Sequence, residues 1–151
     1  MNSNITGFKR QRNSEDESLP LGKRQLDGIP CMKVLLVDGE TASRVWMQGM
    51  LASLGIETVP VYSAQHAIIE LETHDHRGHF DFMFIDWSIK NALELVKWMH
   101  SRAVPSKIVG MYTNDDTERK RQFYNAGATL CVKKSMDPAS VSHTIAHLRN
   151  M

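Results

Sequence analysis

Two cysteines, Cys31 and Cys131, lie far apart in the chain and lack the paired spacing of a metal site. That scarcity excludes a disulfide framework and a zinc module, and both read as free thiols in a reducing compartment. No apolar run approaches the roughly 20 residues needed to span a bilayer. The N-terminus is polar and has no apolar stretch of the signal-peptide kind. Charge of one sign is not in excess either: 18 Lys and Arg against 17 Asp and Glu leave a net charge of +1, which gives no reason to expect direct nucleic-acid binding. What remains is a chain of 151 residues, 42% hydrophobic and 23% charged, which is enough for one globular core. An intracellular monomer without a membrane segment is expected.

Residues 1–30 are polar and aperiodic and read as a disordered tail, leaving 31–151 as the folded domain. The tail holds two basic clusters, Lys9-Arg10-Gln11-Arg12 and Lys23-Arg24, spaced like a two-part nuclear signal. The expected location is therefore cytoplasmic, nuclear or both.

From Met32 onward, short apolar runs alternate with amphipathic stretches. This rhythm predicts an α/β domain with a parallel sheet covered on both faces. Strands are expected at 33–38, 57–62, 81–86, 107–112 and 129–133. The helices expected between and after them begin near Thr41, Ser63, Asn91, Asn114 and Asp137. Val45, Met47, Leu51 and Leu54 are read as the buried face of the first helix, with Gly55 ending it. Trp46 and Trp98 are expected to pack on helical faces.

In an open α/β sheet, ligands bind beyond the carboxyl ends of the strands. The expected strands end at Asp38, Asp86, Tyr112-Thr113 and Lys133-Lys134. Asp86 stands out because the unbroken run Phe82-Met83-Phe84-Ile85 delivers a carboxylate to the edge of the core. Two acids, a hydroxyl and an ammonium suit a divalent cation and a phosphoryl group. Other groupings read as solvated surface: the histidines at 74, 76 and 79 in a loop, and His143 with His147 on one helical face, a pair short of the ligands a stable site needs.

Val34-Leu35-Leu36-Val37-Asp38, Asp81-Phe82-Met83-Phe84-Ile85-Asp86, Ile108-Val109-Gly110-Met111-Tyr112-Thr113 and Gly127-Ala128 followed by Lys134 together resemble the receiver domain of two-component response regulators. The short form, Cys131 and the ending His147-Leu148 look most like the plant type-C group. The resemblance implies a flavodoxin-like doubly wound (βα)5 fold with strand order 2-1-3-4-5. It further implies that Asp86 is the phosphoacceptor, with Asp38, Asp86 and the carbonyl of Ser88 holding Mg2+. Thr113 would be the switch hydroxyl and Lys134 the phosphate-pairing lysine. The implied partner is a histidine phosphotransfer protein in a His-to-Asp relay of the cytokinin type. With no output domain expected, any effect on transcription would be indirect. The donor would dock near Arg44, Met47, Gln48 and Met136, and Trp87 would line the site.

Several positions depart from that pattern. Gly39 stands where a second acid is usual, which would weaken Mg2+ binding, and Glu40 is a candidate substitute. The segment Trp87-Ser88-Ile89-Lys90-Asn91 is short and lacks the usual Met-Pro pair and later glycine. Ser135 replaces a proline, and Cys131 stands where an aromatic is expected. Two alternatives follow: a pseudo-receiver that binds a partner with impaired phosphorylation, or a sink that accepts and hydrolyses phosphoryl groups. Beyond such transfer and hydrolysis on its own aspartate, no conventional enzyme activity is assigned.

Overall fold

The computed structural model describes residues 25–26, 29–30, 32–73, 80–135 and 137–151. The first paired elements are β1 (Gln25–Leu26) and β2 (Ile29–Pro30), a two-stranded antiparallel ribbon inside the stretch read as tail. Both basic clusters, Cys31, Met136 and the histidines at 74, 76 and 79 lie outside the described residues.

Five strands form a parallel sheet: β3 (Met32–Val37), β4 (Ile56–Val61), β5 (Phe82–Asp86), β6 (Lys107–Tyr112) and β7 (Leu130–Lys133). They lie in the order β4-β3-β5-β6-β7, which is 2-1-3-4-5 when the five are counted along the chain. Five helices follow the strands in turn: α1 (Thr41–Ser53), α2 (Ala64–Thr73), α3 (Ala92–Ser101), α4 (Thr117–Ala126) and α5 (Pro138–Arg149). The doubly wound fold expected from the rhythm is thus the one observed. Among the described residues no helix is long and apolar enough to cross a membrane.

The central strands are continuous apolar runs because both of their faces are covered. Leu35, Val37, Met83 and Ile85 face one layer with Leu71, Leu95, Val96, Met99 and Phe123. Val34, Leu36, Phe82, Phe84, Val109 and Met111 face the other, with Met47, Met50, Leu51, Val141, Ile145 and Leu148. Alternation along each strand therefore sends neighbours into different cores.

Helix ends follow local chemistry. Gly55 and Gly127 adopt positive φ (79° and 125°) just after α1 and at the end of α4, where a side chain would be strained. The Asp116 and Asp137 carboxylates accept from the backbone N–H groups of Arg119 and Ala139. Capping by Asp116 starts α4 at Thr117, later than the expected Asn114.

Helix α1 buries a different stripe from the one expected. Met47, Met50 and Leu51 are buried, whereas Val45 is 62% and Leu54 38% exposed. Trp46, expected to pack on its helix, is 41% exposed, while Trp98 packs against the core.

Gly110 marks the tightest packing beside the functional edge. A Cβ there would lie 3.1 Å from Phe123 Cδ2 and 3.3 Å from Cys131 Sγ. Phe123 is fully buried, so it has little room to yield. Gly110→Ala is expected to destabilise the domain by about 1–3 kcal/mol through overpacking. Urea denaturation checks this; a variant as stable as the parent would mean that the α4 contact can slide.

Candidate functional site

Strand register assembles the site. Val37 pairs with both Val61 and Ile85, Asp86 pairs with Met111, and Tyr112 pairs with Lys133. The carboxyl ends of β3, β5, β6 and β7 therefore finish along one edge. Backbone bonds extend that alignment past the strands: Asp38 N–H donates to Val61 O at 3.1 Å, Trp87 N–H to Met111 O at 2.9 Å and Lys134 N–H to Tyr112 O at 2.7 Å.

Three of the predicted residues converge on one ammonium. Lys134 Nζ lies 2.8 Å from Asp86 Oδ2 and 3.0 Å from Asp38 Oδ2. Both carboxylates are buried, where charge persists only when paired and hydrogen-bonded. Asp86 Oδ1 accepts from Ser88 twice, from the backbone N–H at 2.9 Å and from the hydroxyl at 2.8 Å. Asp38 Oδ1 accepts from Glu40 N–H at 3.0 Å, so Glu40 meets Asp38 through its backbone. Thr113 follows β6 on the same edge and is exposed.

Sequence reasoning missed a fourth member. Ser43, in the first turn of α1, donates its hydroxyl to Asp38 Oδ2 at 2.6 Å and accepts from Lys134 Nζ at 3.0 Å. Its signal was its place: a small hydroxyl residue on the first turn after a strand-end acid. Beside it, Arg44 donates to the Asp38 backbone carbonyl at 2.8 Å. Met47, expected at a docking surface, is instead only 5% exposed, and the exposed apolar groups of α1 are Val45 and Trp46.

Trp87 also departs from expectation. It is 6% exposed, stacks on Tyr112 at 4.6 Å between ring centroids, and sits 5.9 Å from Phe123. Its indole thus belongs to the core beside the site and does not line it. Arg119 Nη2 donates to the Trp87 carbonyl at 2.5 Å, tying the start of α4 to the segment after Asp86. Where Cys131 replaces an aromatic, Tyr124 supplies a ring from α4, its hydroxyl accepting from Cys131 N–H at 3.0 Å. The short segment after β5 closes through Asn91, which takes the left-handed conformation (φ 64°) that asparagine tolerates and glycine usually fills.

Burial alone would push the Asp86 carboxyl up, but hydrogen bonds from Lys134 and from both donors of Ser88 outweigh it and hold it below its ordinary value. For Lys134, burial would push the ammonium down, and its bonds to Asp86 and Asp38 reverse that and raise it. A depressed carboxyl contributes stability above its ordinary pKa of about 3.9 that is lost as pH falls through the folded value. The raised lysine contributes stability below about 10.4 that is lost as pH rises through its folded value. Melting temperature is therefore expected to fall at both ends of the range. The acid-side slope should be smaller in Lys134→Met, which lacks the strongest of the bonds lowering Asp86. Melting curves from pH 2 to 6 check this; equal slopes would mean the Lys134 bond does not hold Asp86 ionised.

The donor set is hard oxygen: two carboxylates converging on one point and the carbonyl of Ser88 near them in sequence. Mg2+ commonly takes one or two carboxylates and completes its shell with water, so these residues fit it. Among the described residues no group of three acid, histidine or cysteine side chains is placed to hold a metal. Asp38 and Asp86 are the two acids that meet at this point, and Gly39 follows Asp38 in the chain.

A doubly wound five-strand domain with an acid, acid and lysine cluster at its strand ends defines the class. The description "response regulator receiver domain" matches residues 34–146, and the chain belongs to that family. Two relatives from Arabidopsis thaliana resemble it: two-component response regulator 24 is 24% identical over 122 residues, covering 80% of this chain and 84% of the relative. Two-component response regulator ARR22 is 25% identical over 120 residues, covering 78% and 83%. The expected likeness to plant response regulators is borne out by both. Among solved structures, a CheY-like receiver from Methanospirillum hungatei superposes with a TM-score of 0.70 at 20% identity, covering 80% of this chain and 95% of that one. The Vibrio cholerae chemotaxis protein CheY4 gives 0.69 at 23%, covering 78% and 98%. Receiver domains generally bind Mg2+ at such an acidic pocket and interact with phosphotransfer proteins.

Proposed function

We propose that this receiver accepts a phosphoryl group on Asp86 from the histidine of a phosphotransfer protein. The observation that carries the reading is the Lys134 ammonium, 2.8 Å from an ionised Asp86 and backed by Asp38. In the step proposed, a carboxylate oxygen of Asp86 attacks phosphorus in line and the P–N bond of phosphohistidine breaks. An aspartyl phosphate forms, and the released imidazole nitrogen takes up a proton. Lys134 follows the charge onto the transferring oxygens. Mg2+, held by Asp38, Asp86 and the Ser88 carbonyl, would neutralise further charge there. Thr113 would hydrogen-bond the new phosphoryl group, drawing its loop and the stacked Tyr112 toward the site.

The donor is proposed to dock on the exposed face of α1, where Val45 and Trp46 supply apolar contact. Likeness to the Arabidopsis regulators supports a plant type-C assignment and a cytokinin-type relay. Nuclear entry would depend on the basic clusters of the tail.

One observation favours a second reading. At Gly39 the pocket lacks an acid, and Ile89 Cγ2 lies 3.4 Å from where its Cβ would be. A binding module with impaired phosphorylation would tolerate that loss. Incubation with Mg2+ and a phosphorylated histidine phosphotransfer protein separates the readings. Label that accumulates on the protein and persists supports a switch, and label that leaves the donor without accumulating supports a sink. Label that stays on the donor leaves the binding module.

A further inference from the structure

We propose that Ser43 is a positioning residue that locks Lys134 across the two carboxylates and thereby sets the pocket's affinity for divalent cations. The inference rests on the receiver reading of the pocket but not on phosphoryl transfer.

An ammonium has three N–H donors. Here Nζ donates to Asp86 Oδ2 at 2.8 Å and to Ser43 Oγ at 3.0 Å, and its charge pairs with Asp38 Oδ2, 3.0 Å away on the same side as Ser43. Ser43 is the component that makes this arrangement closed. Its hydroxyl hydrogen goes to Asp38 Oδ2 at 2.6 Å while its lone pair takes Lys134, so one side chain fixes both the acid and the base. All four carboxylate oxygens are then engaged: Oδ1 of Asp38 by Glu40 N–H, Oδ1 of Asp86 by Ser88, and both Oδ2 atoms by Lys134. The guanidinium of Arg44 on the Asp38 carbonyl holds that acid's backbone against the same turn of α1.

A cation entering this pocket competes for oxygens that the lock already uses. It must take Asp38 Oδ2 from a hydroxyl and an ammonium, and its charge repels Lys134 from the space it enters. A third carboxylate at position 39 would offer an oxygen outside the lock, but glycine offers none. The two-acid pocket therefore makes Ser43 decisive: each bond it holds on Asp38 and Lys134 must be broken before Asp38 can serve the cation.

Removing the hydroxyl should loosen Lys134 and strip a donor from Asp38. Ser43→Ala is expected to bind Mg2+ about fivefold more tightly than the parent, the size of effect for one typical intramolecular hydrogen bond. Ser43→Thr keeps the hydroxyl and should stay within about twofold of the parent. Affinities would be measured by calorimetric titration of the full chain with MgCl2, without any phosphodonor. Affinity in Ser43→Ala that is equal to or weaker than the parent's overturns the proposal, as does Ser43→Thr behaving like Ser43→Ala. No detectable Mg2+ binding by any of the three overturns it as well.

A second measurement needs only the parent protein and covers failure of a variant to fold. The 15N resonance of the Lys134 ammonium should be protected from solvent exchange without Mg2+ and lose protection as Mg2+ is added. An unprotected ammonium, or one unmoved by Mg2+, also overturns the lock. Because no phosphoryl group takes part, a protein that shows the Ser43 effect but never labels would refute the phosphorelay reading alone.

Discussion

Replacement of Asp86 by asparagine is expected to reduce phosphoryl transfer from a phosphorylated histidine phosphotransfer protein to background. The substitution is nearly isosteric. The side-chain oxygen can still accept from Ser88, and the strand that carries it, Phe82–Asp86, is buried throughout. What disappears is the ionised oxygen proposed to attack phosphorus, because an amide has no comparable nucleophile. Fold and donor docking should survive, since the exposed residues Val45 and Trp46 of α1 are untouched. The measurement is label on the protein over time together with donor affinity for the same variant. Lost label with retained affinity places the defect in chemistry. Label equal to the parent's would show that another side chain accepts the phosphoryl group, with Asp38 the first to test.

The second large effect is a gain. Gly39→Asp is expected to tighten Mg2+ binding by roughly 10–100-fold, the range associated with losing or restoring one supporting group at a metal site. Local geometry permits it. A Cβ at position 39 would meet Ile89 Cγ2 at 3.4 Å and the Tyr62 carbonyl at 3.6 Å, ordinary van der Waals contacts, and Gly39 is not among the positions of positive φ. The position is exposed, so the added carboxylate is not stranded in the core. Without a cation, a third acid beside Asp38 and Asp86 adds repulsion, and the variant should melt lower than the parent. With MgCl2 the order should narrow or invert, because each tenfold excess over the dissociation constant adds about 1.4 kcal/mol of stability. Melting temperature against MgCl2 concentration reads this directly. Parallel curves for parent and variant would mean that position 39 does not face the cation.

Much of this protein was legible before its structure. The strands were, because burial on both faces leaves continuous apolar runs such as Val34 to Val37 and Phe82 to Ile85 that few other elements produce. Helix ends were readable at Gly55, Gly127 and Asp137, where backbone conformation or capping demands particular residues. Asp38, Asp86, Thr113 and Lys134 could be placed on one edge because parallel strands in a doubly wound sheet all finish on the same side. Helical periodicity was less exact. It allowed Val45 and Leu54 a place in the core that Met50 takes instead, since the buried stripe of α1 depends on how the helix lies across the sheet.

The rest belongs to tertiary structure alone. Ser43 and Lys134 are separated by 91 positions, and the place of Ser43 after a strand-end acid does not announce that the lysine donates to its hydroxyl or that the two share Asp38. Trp87, next to the Asp86 carboxylate in sequence, turns into an aromatic stack with Tyr112 because alternation along the chain direction of a strand sends adjacent side chains to opposite faces. Sequence determined which chemical groups reach the edge of the sheet, through short-range periodicity and strand direction. Which oxygen each of them holds was decided only when α1 packed across the sheet and brought its first turn over the acids, because hydrogen bonds are fixed by tenths of an ångström that no pattern of residues encodes.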